Sequence, residues 1–131
     1  MKVISARERL EAALARIEDP KGEGARACLT VYREQAKAAA EASDARAKSG
    51  ISLGSLDGTV VTIKDLFDVA GEVTRAGSKV LAEEAKPAAA DAPVVRRLRA
   101  AGAVIVAKTN MRFPCCGGLT SMTSVATALP D

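Results

Sequence analysis

Apolar residues recur with helical spacing near the start of the chain. Leu10, Ala13, Leu14 and Ile17 fall on one face of a helix expected from about Ser5 to Asp19. Ser5, with Glu8 three residues on, has the form of a capping box, and Pro20, Gly22 and Gly24 end the pattern. A second, longer helix is predicted from Ala25 to about Lys48. Leu29 and Tyr32 open its apolar side, and Ala38, Ala42 and Ala45 are small enough for close packing against another helix. The period then disappears in the Ser- and Gly-containing stretch 49–58.

Past that boundary the pattern changes. Thr59–Ile63 is a β-branched run, predicted as a strand leading into Lys64 and Asp65. Asp91 is the expected N-cap, and Pro93 the first-turn residue, of a helix from Ala92 to Ala101, with Val94, Val95, Leu98 and Ala101 as its apolar side and Gly102 as its stop. Ala103–Ala107 is continuously apolar, as in a strand covered on both faces. Strand, helix, strand implies a parallel unit with a right-handed crossover. The predicted fold class is α/β: N-terminal helices (1–48) followed by a βαβ unit (59–111).

Composition narrows the chemistry. The chain contains no histidine, which excludes His-based triads, imidazole bases and most zinc sites. With two Phe, one Tyr and no Trp, any core rests on aliphatic residues. Nineteen basic and sixteen acidic residues are nearly balanced, and no basic stripe with aromatic stacking positions is present, so nucleic acid is not an expected partner. The cluster Arg96, Arg97 and Arg99 is read as a solvated helix face. Three cysteines, two of them the adjacent Cys115 and Cys116, do not form a secreted disulfide framework or a metal site. The absence of a long apolar run points away from membranes, and a reducing cytoplasm is the expected compartment. No glycine-rich phosphate loop lies between a strand and a helix, which disfavours a nucleotide-binding domain.

Lys64 and Asp65 end a predicted parallel strand, where α/β sheets place ligands. An ion pair or a solvated pair is the simplest reading of these two residues alone. The surrounding segments say more. Ile63–Gly71, Thr74–Ser78 and Asp91–Met111 together resemble the amidase-signature family, which shows a strand ending in Lys-Asp, a Thr-x-Ala-Gly-Ser loop and a helix–strand unit ending in Lys-Thr-Asn. Order and spacing agree from about Leu56 to Met111.

The resemblance implies hydrolysis of carbon–nitrogen amide bonds by a Ser–cis-Ser–Lys triad, without metal or organic cofactor, on a small-molecule amide substrate. By position Lys64 matches the catalytic lysine, and Thr74 and Ser78 match the loop beside the site. A serine hydroxyl is a weak nucleophile until a base takes its proton. A lysine serves as that base only in its neutral form, which burial or nearby positive charge favours. Lys108, at the second strand end, belongs by resemblance to the scaffold or the substrate cleft.

Three departures set further expectations. Gly58-Thr59-Val60-Val61 replaces a strand in which the family usually has proline. After Met111 the motif resemblance stops, so residues 112–131 are expected to be a divergent tail, consistent with a change of reading frame. Read from one base earlier, the codons of Thr127–Pro130 permit Tyr-Gly-Thr-Pro, close to a loop of the family. The glycine- and serine-rich segment of the nucleophile is not found in these 131 residues. The chain is therefore expected to be an amidase fragment, inactive alone and prone to self-association through exposed apolar surface; the alternative is a noncatalytic α/β binding or interaction module derived from an amidase.

Overall fold

The computed structural model describes residues 3–111. The tail 112–131, with Cys115 and Cys116, lies outside the described residues. Helix α1 (Ala6–Glu18) begins as its sequence requires: Ser5 Oγ accepts from Glu8 N (3.0 Å), and Glu8 Oε2 accepts from Ser5 N (2.9 Å). Ala6, Leu10, Leu14 and Ile17 form its buried face.

The single long helix expected over 25–48 is instead three elements: α2 (Gly24–Ala27), strand β1 (Cys28–Val31) and α3 (Arg33–Lys48). Cys28-Leu29-Thr30-Val31 has the β-branched content of a strand, and pairing along one edge satisfies part of its backbone. It runs antiparallel to β3 (Val104–Thr109), with Tyr32 N donating to Val106 O and Asn110 N to Ala27 O. Gly24 marks a close approach of α2 to α1, because a β-carbon there would lie 2.3 Å from the Ile17 carbonyl oxygen.

This break resets the phase of the following helix. Ala36, Ala40 and Ser43 are buried, while the expected packing positions Ala38, Ala42 and Ala45 face solvent. Asp44 of α3 reaches the start of α1, where its carboxylate accepts from the free amides of Ala6 (2.7 Å) and Arg7 (3.1 Å).

Strand β2 (Val60–Lys64) runs parallel to β3, and the sheet order is β1-β3-β2. The central β3 is buried from Val104 to Lys108. One face of the sheet packs on α1 and α3 through Val104, Val106 and Ala107; Ile63 and Ile105 pack with Tyr32, Val69 and Val95 on the other. Val95 belongs to α5 (Pro93–Ala100), which follows a short helix α4 (Lys79–Glu84) that the hydrophobic pattern does not announce. The expected cap of α5 is corrected by one residue. Ala92 holds the N-cap position, while Asp91 accepts from Ala70 N (2.8 Å) and Arg99 Nε (2.9 Å). A longer-range contact therefore wins over the local cap. Val94 of the expected apolar side is exposed.

Candidate active site

The parallel pairing of β2 with β3 brings Lys64, Asp65, Lys108 and Thr109 to one end of the sheet. Ile63 pairs with Lys108 and Lys64 with Thr109. The end is closed by Asp65 N donating to Thr109 O (2.9 Å) and by Thr109 Oγ1 donating to Ile63 O (3.2 Å). The Lys64 side chain is exposed, whereas Asp65 is only 1% exposed. The neighbours in sequence thus have opposite environments.

Asp65 does not pair with Lys64. Its Oδ1 lies 3.4 Å from Nζ of Lys108, which is 2% exposed. Glu72 Oε2 lies 3.6 Å from the same Nζ and accepts from the Tyr32 hydroxyl at 2.7 Å. Burial, and then this bond to Glu72, push the Tyr32 phenol well above its ordinary range. Tyr32 precedes α3, Asp65 and Glu72 lie in the connection that follows β2, and Lys108 is in β3, so three distant segments meet and sequence spacing does not group them. The one local signal is that Lys108 continues an apolar run.

The chain after β2 turns back on the strand end. Ala76 N donates to Asp65 O (2.9 Å), and Arg75 N makes a longer contact with Asp65 Oδ1 (3.4 Å). Ala76 adopts a left-handed backbone (φ 47°), an uncommon conformation for a residue with a β-carbon. Thr74 Oγ1 donates to Asp68 Oδ1 at 2.6 Å, and Ser78 caps α4 by accepting from Leu81 N at 3.3 Å. The loop bearing Thr74 and Ser78 is therefore anchored to the residue next to Lys64. Among the described residues, no hydrogen bond joins the Lys64 side chain to Thr74 or Ser78. A cleft of about 230 Å³, lined by Arg46, Leu53, Arg99 and Gly102 among others, includes none of these three.

Comparison with known proteins decides the family. The profile of the amidase family matches residues 8–126. The chain belongs to the amidase family. It is 50% identical over 110 residues to a glutamyl-tRNA(Gln) amidotransferase subunit from Anaeromyxobacter dehalogenans (strain 2CP-C), a match covering 84% of this chain and 22% of that protein. It is 45% identical to the AtzE subunit of 1-carboxybiuret hydrolase from Pseudomonas sp. (strain ADP), with 82% and 23% covered. Among solved structures, the peptide amidase of Stenotrophomonas maltophilia superposes with a TM-score of 0.68 at 34% identity, over 82% of this chain and 22% of that one. This amidase-family chain thus spans between a fifth and a quarter of the length of these relatives. Among the described residues, the three-stranded sheet and helices form an α/β arrangement shared with amidases of known structure. Two of these relatives are named as subunits. Among the described residues no helix is long and apolar enough to cross a membrane.

Proposed function

We propose that this chain supplies the lysine base of an amide-hydrolysing site. Lys64 accepts the proton released when a serine hydroxyl attacks the substrate carbonyl, by way of a second serine in the cis conformation. The attack forms an acyl-enzyme and releases the amine, which takes up a proton as it leaves; water then frees the acid. Thr74 and Ser78 lie on the substrate side. The substrate is a small-molecule amide, and no cofactor takes part.

The observation that carries this reading is the anchoring of the Thr74–Ser78 loop through Asp65 to the strand end that presents Lys64. The carboxyl end of a parallel strand is where α/β sheets gather reacting groups. The sequence of 131 residues has the base but no glycine- and serine-rich segment for the serines. The proposed division is accordingly a lead-in (1–48) of helices and strand β1, a βαβ core (59–111) carrying the lysine, and a tail (112–131).

The test has two arms. The purified 131-residue chain gives no turnover on a panel of primary and peptide amides. In a chimera, residues 8–111 replace the matching segment of the S. maltophilia peptide amidase, and peptide-amide hydrolysis is measured. Lys64→Ala lowers kcat/KM by roughly 1,000-fold or more, whereas Thr74→Val and Ser78→Ala lower it about tenfold. A chimera that keeps its rate after Lys64→Ala would refute the assignment and favour a noncatalytic module.

A further inference from the structure

Lys108 is a second lysine at the same sheet end, and no step of the proposed reaction uses it. Its placement follows from an irregularity in β3. Val61 pairs with Ile105 but Thr62 with Ala107, so Val106 is an extra residue in the ladder. Val106 and Ala107 both join the core beneath α1 and α3, and alternation resumes out of step. Lys108 consequently meets Asp65 and Glu72 on the side of Ile63 and Ile105.

Sealing an ammonium and a carboxylate from water is unfavourable unless they compensate each other. Here the pair is nearly closed off, and among the described residues neither Lys108 Nζ nor Asp65 Oδ2 has a hydrogen-bond partner. Such a pair adds little as stability alone, because apolar residues of similar volume often serve as well. It does fix the direction of the Asp65 carboxylate and the path of the backbone at residue 65. That backbone holds the left-handed Ala76 through its carbonyl, and the carboxylate meets Arg75 N. Tyr32 and Glu72 complete the arrangement from α3's N-cap and from the loop itself.

We propose that Lys108 is a positioning residue: through its buried pair with Asp65 it holds the Arg75–Ala76 turn on the carboxyl end of β2, and so fixes the loop bearing Thr74 and Ser78 relative to Lys64. Only its catalytic consequence rests on the reading of Lys64 as the base; the positioning itself does not.

Amide hydrogen exchange on the full 131-residue chain tests it. In Lys108→Met, exchange at Arg75 and Ala76 rises by about tenfold or more, while Val104 N, bonded to Thr59 O at the far end of the sheet, changes less than about threefold. The near-isosteric Asp65→Asn gives the same loop-selective increase, and the double variant adds nothing to either single one. Lys64→Ala leaves all these amides unchanged, so a wrong assignment of the base does not alter the outcome. If Lys108→Met does not fold, Asp65→Asn is judged by the same criterion. The proposal is overturned if the loop and Val104 respond equally, if the loop does not respond, if the wild-type turn shows no protection, or if neither single variant folds.

Discussion

The carboxylate of Asp57 lies so close to Gly102 that a β-carbon at position 102 would sit 2.5 Å from Oδ1 and 2.9 Å from Cγ. Arg46 holds that carboxylate in place with two hydrogen bonds, from Nε to Oδ2 (3.0 Å) and from Nη2 to Oδ1 (2.6 Å). Gly102 is itself left-handed, with φ 79°, at the turn from α5 into β3. Gly102→Ala therefore meets both an unfavourable backbone and a filled space. The expected loss is about 2–4 kcal/mol, read from urea unfolding. A variant as stable as the parent would show that the Arg46–Asp57 pair moves aside freely.

The same pair sets an acid limb to stability. The Arg46 hydrogen bonds, aided by Leu53 N, hold the Asp57 carboxyl well below the ordinary range despite its partial desolvation. A carboxyl depressed in the folded state contributes stability above its unfolded value, about 3.9. That contribution is lost as pH falls below this value toward the folded one. Asp57→Asn is expected to melt lower than the parent at pH 7 and to approach it as pH falls below about 4. Melting profiles that stay parallel across that range would count against the pairing.

Tyr32 predicts an alkaline limb of opposite form. Its folded phenol titrates above its unfolded value of about 10. The proton is held more tightly when folded, so this stability is complete below pH 10 and is lost as pH rises above it. Tyr32→Phe removes that slope and the bond to Glu72, at a cost of about 1 kcal/mol near neutrality. Unfolding followed between pH 8 and 11 checks the slope, and an unchanged alkaline limb in Tyr32→Phe would contradict it.

Self-association is the fourth expected outcome. Among the described residues β1 and β2 are the edges of the sheet, and Ile51, Leu53, Leu66, Val80 and Leu81 are exposed. Sedimentation velocity of the 131-residue chain is expected to show larger species as concentration rises through the micromolar range. A monomer unaffected by concentration would remove the basis for this expectation.

Local chemistry made much of the fold legible in advance. The capping box at Ser5, the Leu10–Leu14–Ile17 stripe, the β-branched run into Lys64 and the apolar run into Lys108 need only neighbouring residues to declare their element. The motifs around Lys64 likewise identified the family, because they are linear patterns. Strand β1 was hidden: four residues beside an alanine-rich helix carry a weak signal, and their strand partner is β3, almost eighty residues away. Asp91 had the residue type of a helix cap, but Ala70 and Arg99 claimed its carboxylate.

The partners of the two lysines were decided only in three dimensions. By sequence alone, Lys64 and Asp65 form the obvious pair, and Lys108 is the last charge on an apolar strand. The extra residue at Val106 changes which face Lys108 occupies and brings it to Asp65, leaving Lys64 exposed. A strand's side chains alternate with period two, so one inserted residue exchanges the faces of all that follow until the next irregularity. Whether such an insertion occurs depends on how β3 meets both β2 and the helices beneath it, and no local pattern of residues records that.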